Sequence, residues 1–323
     1  MVDDVSTRVV VTATAGPLSA TTADAVRTLA QRAAAVDGVA PLSEQPLLWL
    51  TDVEAPAVHL QATLAGSLVG YAQLDTGSQT RVKAELVVDP AHRRTGVGRA
   101  LLARATTETR VVDGRELRVW AHGDLPAARA FALSAGMGVV RELLQMRIDL
   151  TARPSREPTL PPGVTVRTFR PGADEDAWRR VNSRAFAHHP EQGRMTSADL
   201  HAREAEDWFD PQGFLLVERD GKLLGSVWTK VHPAGEHGPE RVGEIYVVGV
   251  DPDAQGLGLG RALTALGLDH LTTVGLTAAI LYTDADNTVA VHTYERAGFV
   301  RAGADVMFGL DTKSSPRDVT MGI

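Results

Sequence analysis

The chain contains no cysteine. That excludes disulfides, thiolate metal sites and a cysteine nucleophile. Aromatic residues make up only 5% of the 323 positions, too few to suggest stacking platforms for single-stranded nucleic acid. Basic residues do not outnumber acidic ones. With 33 against 40 the formal net charge is −7, so the charge gives no footprint for a polyanion. No uninterrupted apolar run approaches the roughly 20 residues of a membrane span. The opening Met1-Val2-Asp3-Asp4 lacks the basic-then-apolar pattern of a signal peptide. These absences lead us to expect a cytoplasmic monomer with neither membrane nor nucleic acid as partner. The rest of the composition, 44% hydrophobic and 23% charged, is that of a globular protein long enough for two domains.

What is present is a duplication. Val88-Asp89-Pro90-Ala91-His92-Arg93-Arg94-Thr95-Gly96-Val97-Gly98-Arg99-Ala100-Leu101 returns as Val250-Asp251-Pro252-Asp253-Ala254-Gln255-Gly256-Leu257-Gly258-Leu259-Gly260-Arg261-Ala262-Leu263. Each matched position lies 162 residues after its counterpart, about half the chain. The expected organisation is an N-terminal domain over 1–150, a proline-rich linker over 151–163 and a C-terminal domain over 164–323. The prolines of the linker bias their neighbours toward extended backbone.

Both copies predict the same order of elements. Helices come early, around 22–36 and 174–186, followed by antiparallel strands. Asp220-Gly221 reads as the tight turn of a hairpin over 215–225, and Ala65-Gly66 as its counterpart. Strands over 84–88 and 244–248 lead into the glycine-rich turns, with helices over 98–109 and 260–273 after them. Further strands (117–120 and 279–282) and helices (126–134 and 287–296) follow, the helices ending near Gly136 and Gly298. The fold class is α/β in the α+β sense. Two tandem domains are expected, each a mixed, mostly antiparallel sheet flanked by helices.

A turn of the form Arg/Gln-x-x-Gly-x-Gly that enters a helix offers several backbone N–H groups to one anion, and the helix dipole favours negative charge there. Arg93, Arg94 and Arg99 in the first copy, and Arg261 in the second, add basic side chains. No G-x-G-x-x-G follows an opening strand and no Gly-Lys-Ser/Thr follows the turn, so dinucleotide and nucleotide-triphosphate readings fail. The pattern resembles motif A of the GCN5-related N-acetyltransferases (GNAT), and Asn287-Thr288-Val289-Ala290-Val291-His292-Thr293-Tyr294-Glu295-Arg296-Ala297-Gly298-Phe299 resembles their motif B. The resemblance implies acetyl-CoA as co-substrate, one per domain, and no metal. It places the coenzyme against Leu86, Val87, Val88 and Arg94, Thr95, Gly96, Val97, Gly98, Arg99. In the second copy it does so against Val248, Gly249, Val250, Gln255, Gly256, Leu257, Gly258, Leu259, Gly260, Arg261 and Asn287 to His292.

Amide formation from a thioester needs a base for the amine, a donor for the oxyanion and an acid for the departing thiolate. The resemblance implies the Val250 N–H as oxyanion donor and Tyr294 as general acid. Glu244 stands at the start of the strand before motif A. Period-two alternation puts residues 244, 246 and 248 on one face, where a carboxylate can take the amine proton through water. The bland alternatives are a solvated strand end for Glu244 and a core tyrosine for Tyr294. At the constant offset the first copy has Val82, Ala132 and Leu125 in place of Glu244, Tyr294 and Asn287. Glu85 corresponds to Val247 and is expected on the opposite face. The second copy is therefore expected to be catalytic, and the first to keep the cradle without the chemistry.

The chain as a whole resembles a tandem-domain actinobacterial branch of this superfamily that acetylates the cysteinyl amine of cysteinyl-glucosaminyl-inositol. The likeness runs through Asp37 to Gln45, Phe186 to Gly193, Gly243 to Val250 and Leu281 to Asn287. It implies substrate contacts from Glu44, Glu191, Lys230, Glu244 and Tyr282, in a cleft between domains. Plain readings stand beside these: a helix start for Glu44, a solvated loop for Glu191, a surface lysine for Lys230. Two other functions stay open on the residues alone. One is a tandem acetyltransferase for an aminoglycoside or a protein N-terminus. The other is a non-catalytic acyl-CoA sensor.

Overall fold

The computed structural model describes residues 8–111, 115–153, 158–187 and 192–310. The first sequence copy supplies β1 (Val10–Ala15), α1 (Ala20–Asp37), α2 (Glu44–Leu48), β2 (Ala57–Leu64), β3 (Ser67–Asp75), β4 (Arg81–Val88), α3 (Val97–Val111), β5 (Glu116–Ala121), α4 (Pro126–Ser134) and β6 (Met137–Asp149). The second supplies β7 (Thr165–Thr168), α5 (Glu175–Ala185), α6 (Ser197–Glu204), β8 (Phe214–Arg219), β9 (Lys222–His232), β10 (Val242–Val250), α7 (Leu259–Thr273), β11 (Ala278–Asp284), α8 (Thr288–Ala297) and β12 (Val300–Leu310). The expected order of elements is present in both copies.

Local chemistry accounts for the boundaries. Ser19 caps α1 by accepting from the Thr22 N–H at 3.2 Å. The buried face of α1 repeats at helical spacing through Ala23, Val26, Leu29, Ala30 and Ala33, and the helix stops where Gly38 turns left-handed at φ 72°. Asn287 caps α8 by accepting from the Ala290 N–H, and Gly298 ends it at φ 100°. At the β8–β9 turn Asp220 and Gly221 both have positive φ, and Ala65 and Gly66 do the same between β2 and β3. These are the conformations that a two-residue hairpin needs.

By contact the chain divides into two compact units that differ from the division by repeat. Unit 1 holds Met1–Glu142 and Ala304–Ile323; unit 2 holds Leu143–Gly303. In unit 1 the strands run β1-β2-β3-β4-β5-β12, and in unit 2 β6-β11-β10-β9-β8-β7. Each sheet thus ends on a strand contributed by the other copy. Leu143–Asp149 of β6 pair antiparallel with β11, and Val306–Gly309 of β12 pair antiparallel with β5. The linear repeat gives no sign of this exchange, because both last strands have the same apolar character. Residues 151–153 and 158–163 of the expected linker fall in unit 2.

Unit 1 packs α1 on one face of its sheet, with Val26, Leu29, Leu50, Tyr71 and Val87 buried together, and α3 on the other, with Leu60, Leu74, Val97 and Leu101. Unit 2 packs Phe169, Trp178, Phe214, Trp228 and Val247 on the α5 side. Phe214 stacks on Trp228 at 4.5 Å and Trp178 meets Trp228 edge-on at 5.7 Å. Such aromatic pairs add about 0.5–1.5 kcal/mol each beyond the area they bury. On the opposite face Gly267 of α7 lies so close to the sheet that an added Cβ would come within 2.7 Å of Ile245 and 2.9 Å of Val227. Among the described residues no helix is long and apolar enough to cross a membrane.

Candidate active site

The two cradles are built alike. Asp89 and Asp251 each cap the short turn that follows, accepting from the N–H of Ala91 and Asp253. Each is also tied to the first long helix of its unit, Asp89 by Arg32 at 2.6 Å and Asp251 by Arg184 at 3.0 Å. Gly256 and Gly258 have φ of 80° and 76°, and a Cβ on Gly256, Gly258 or Gly260 would meet nothing within 4 Å. These glycines are therefore required by backbone conformation at the first two positions, and all three face open space. No side chain caps α7, whose first turn bond runs from the Ala262 N–H to the Gly258 carbonyl. The N–H groups of residues 259–261 precede the helical ladder and are available to an anion. Arg261 is exposed beside them.

The first cradle differs in its charges. Arg94 takes the left-handed position that Gly256 occupies, at φ 65°, a conformation that costs a non-glycine residue about 1–2 kcal/mol. Arg94 and Arg99 are exposed. Arg93 is not free to add charge, contrary to the sequence expectation. Both its terminal nitrogens reach the Asp37 carboxylate at 2.7 Å. The remaining expected coenzyme residues fall where the motif puts them. Leu86, Val87 and Val88 close β4, Thr95 to Arg99 turn into α3, and Gln255 to Arg261 turn into α7. Asn287, Thr288, Val289, Ala290, Val291 and His292 form the start of α8, and the Asn287 side chain is engaged in capping that helix.

The strand that leads into each cradle loses its parallel partner before it ends. β10 pairs with β11 only from Gly243 to Ile245, and β4 with β5 only from Arg81 to Glu85. Val248 to Val250 therefore border a gap on the β11 side. The Asp251 N–H bonds to the Leu224 carbonyl toward β9. Backbone alternation then turns the Val250 N–H away from β9, into the gap.

A bulge in β10 corrects three sequence expectations. Glu244 pairs with Lys230 and Ile245 with Thr229, but the next partner, Trp228, faces Val247, leaving Tyr246 as the extra residue. A bulge of this kind reverses the alternation beyond it. Tyr246 and Val247 share the face of Glu244, whereas Val248 lies opposite. Residues 244, 246 and 248 thus do not line one face. The extra residue also breaks the constant offset. Gly243, Glu244 and Ile245 pair with Ala279, Ile280 and Leu281, where Val82, Lys83 and Ala84 pair with Leu117, Arg118 and Val119. The counterpart of Glu244 is therefore Lys83, not Val82. Glu85, expected opposite, lies on the same face.

Glu244 is 7% exposed, not a solvated strand end. Its Oε2 lies 2.6 Å from His232 Nε2, and His232 Nδ1 lies 2.7 Å from Glu236. Burial alone pushes the His232 imidazole down, but the hydrogen bonds to Glu236 and Glu244 and the Glu244 charge outweigh it and lift it to about 9. Nearby, the His237 ring meets that of His232 at 4.4 Å, and burial and the His232 charge push it down. Lys230 lies 4.4 Å over the Trp208 ring and 5.5 Å from Tyr246. Tyr282 accepts from Gln145 Nε2 at 2.7 Å. Sequence reasoning missed His232 and Glu236. A histidine eleven residues after Asp-Gly in a hairpin carries no motif.

Among the described residues, His232, Glu236 and His237 form one group whose ligand atoms all lie within 4.8 Å of one another. Both His232 nitrogens already face carboxylates, so the group forms a hydrogen-bonded chain. Tyr294 is half-buried on α8 and meets Phe299 edge-on at 5.9 Å, and its hydroxyl has no hydrogen-bond partner among the described residues. Burial pushes its phenol up to about 12. Ala132 is buried at the equivalent place in α4, and Leu125 precedes that helix without capping it. Glu44 opens α2 in unit 1. Glu191 lies outside the described residues.

Unit 1 carries different chemistry on the same face. Lys83 and Asp75 form an ion pair at 2.9 Å where unit 2 has Glu244 and Lys230. Glu85 accepts from the Ser43 N–H and hydroxyl, both at 2.6 Å, and lies 3.2 Å from His122. Asp305, on β12, takes the other His122 nitrogen at 2.9 Å. Burial pushes His122 down, but the Glu85 charge and the contacts to Asp305 lift it to about 10.

Two splayed strands, each entering an open anion cradle at a helix start, define an acyl-CoA-dependent N-acetyltransferase. Family models agree: the GNAT acetyltransferase family matches residues 178–299, and a GNAT domain model matches 56–136. A protein described as mycothiol acetyltransferase from Cellulomonas flavigena is 61% identical over the whole of both chains. Those from Sanguibacter keddieii and Streptomyces coelicolor are 55% and 51% identical, covering 94% and 90% of this chain and 96% and 92% of theirs. The chain belongs to the mycothiol acetyltransferase family of tandem GNAT enzymes. The fold is also that of a tandem GNAT protein from the clavulanic acid biosynthesis pathway. That structure has a TM-score of 0.69 at 19% identity, over 94% of this chain and 98% of that one. A GCN5-related N-acetyltransferase from Sphaerobacter thermophilus gives 0.63 at 23%, over 93% and 95%.

Proposed function

We propose that the protein transfers the acetyl group of acetyl-CoA to the cysteinyl amine of cysteinyl-glucosaminyl-inositol, the last step of mycothiol biosynthesis, and that the second copy performs the chemistry. The observation that carries this reading is the buried Glu244 carboxylate on the bulged strand, at whose equivalent position unit 1 has Lys83. Glu244 takes the amine proton through water. The Val250 N–H, directed into the strand gap, receives the oxyanion. Tyr294 protonates the thiolate as it leaves. A thiol titrates near 8.5, so a phenol near 12 gives up its proton only as negative charge develops on sulfur. An acceptor α-type amine titrates near 7.7 against about 10.4 for lysine, which suits a base that acts through water.

The open glycines and the uncapped start of α7 suit the coenzyme pyrophosphate in the second copy. The first copy binds a second acetyl-CoA without turning it over. It has no base at Lys83, no phenol at Ala132, and a Lys83–Asp75 ion pair in place of an acceptor contact. Lys230, Tyr282 and Glu244, with Glu191, hold the polyol substrate. The enzyme works as a cytoplasmic monomer without a metal. Purified protein with acetyl-CoA and competing amines tests this. We expect cysteinyl-glucosaminyl-inositol to be preferred over aminoglycosides and peptide N-termini. Glu244→Gln should lower kcat about 10²- to 10⁴-fold. An unchanged kcat removes Glu244 as the base.

A further inference from the structure

Unit 2 commits a whole loop to one imidazole. His232, the last residue of β9, is buried, and both its ring nitrogens are held at short range by carboxylates: Nε2 by Glu244 at 2.6 Å and Nδ1 by Glu236 at 2.7 Å. Glu236 is half-exposed and stands four residues on, so the turn after β9 folds back onto its own histidine. Two hydrogen bonds to two acceptors require a proton on each nitrogen. With both carboxylates ionised the ring is therefore an imidazolium between them. Other groups facing it are His237, whose ring contacts it, and Lys230 on its own strand, with Gln145 of β6 and Tyr282 of β11 behind His237. Unit 1 lacks the device: two residues beyond Asp75, the counterpart of Lys230, stands Gly77.

A buried carboxylate without a counter-charge is costly to keep ionised. No described residue other than His232 hydrogen-bonds the Glu244 carboxylate. Its Oε1 has no hydrogen-bond partner among the described residues. We propose that His232 is a positioning residue of the transfer site, held by Glu236 so that it supplies the counter-charge to Glu244 and fixes its Oε2, leaving Oε1 for the acceptor or its bridging water. This rests on Glu244 being the base, and it assigns Glu236 a part in the reaction although it touches no reactant. The arrangement matches the way a carboxylate orients a catalytic histidine, with the roles exchanged.

The test uses the full chain. Histidine-labelled protein is examined by ¹H–¹⁵N NMR, with kcat/KM measured from acetyl-CoA and cysteinyl-glucosaminyl-inositol. The His232 ring is expected to be protonated on both nitrogens at pH 7.5, and its titration midpoint to fall in Glu236→Gln and in Glu244→Gln. His232→Ala should lose about 10- to 100-fold in kcat/KM, the loss typical of a hydrogen bond to a charged group. His232→Gln keeps a donor near the Nε2 position and should recover part of that loss. Should His232→Ala fold poorly, the Gln variant and the NMR midpoint decide the matter. A singly protonated ring at pH 7.5 overturns the proposal, as does wild-type kcat/KM in both His232 variants. An inactive Glu244→Gln beside a fully active His232→Ala discards the clamp alone. A fully active Glu244→Gln discards the base on which it rests.

Discussion

At the residue scale the two units differ by a few side chains with large consequences. Tyr294 is a phenol with no hydrogen-bond partner among the described residues, and its counterpart Ala132 is buried. Tyr294→Phe removes only the proton donor. We expect kcat to fall about 10²- to 10⁴-fold with little change in acetyl-CoA affinity, read by steady-state kinetics and calorimetry. Equal kcat excludes the phenol as acid. The His122 cluster, mostly shielded from solvent, makes a prediction about stability. Its imidazole sits at about 10, against the ordinary 6.5. A histidine raised on folding contributes stability that is fully present below 6.5 and lost as pH rises through about 10. The urea midpoint of unit 1 should therefore decline between those values. Asp305→Asn should lower it near neutrality and flatten that decline.

One inserted residue decides which way Glu244 faces. Tyr246 is the extra residue of β10, and its hydroxyl accepts from Arg203 at 2.7 Å while its ring packs on Trp208 and Trp228. Deleting Tyr246 would restore regular alternation and carry Glu244 toward the α7 face. Activity should be lost, with the midpoint of thermal unfolding also reduced. The cradle makes a separable prediction. Gly260 lies inside α7 with ordinary φ and open space around its missing Cβ. Gly260→Ala should raise stability by about 0.5–1 kcal/mol, the helix preference of alanine. It should weaken acetyl-CoA binding by crowding the anion. Unfolding and calorimetry report the two effects independently, and unchanged affinity would remove Gly260 from the coenzyme contact.

At the scale of the whole chain, repeat and compact unit are different divisions. Unit 1 takes β12, from the far end of the sequence, onto its strand β5, where Val306 and Phe308 join Ala132 and Met137 in a buried cluster. Truncation before Val300 should leave β5 an unpaired edge. Amide exchange at residues 116–121 should quicken markedly, although the cut lies well over a hundred residues away. Unaltered protection there would show that unit 1 folds without the exchanged strand.

The sequence alone set the number of copies, the order of elements, the turns and the glycine-rich entries to α3 and α7. Each of these is set locally: by glycine at positive φ, by Asp-Pro and Asn caps, and by the period of apolar residues. It also determined which copy keeps the phenol, because α4 and α8 hold the constant offset. Which residue of unit 1 matches Glu244 emerged only in the fold, since a bulge appears in strand pairing and leaves no trace in a single strand. The same holds for His232 and Glu236, which become partners of Glu244 only when β9 and β10 are laid side by side. It holds too for the exchange of last strands, because apolar alternation says that a strand will pair and not with which edge.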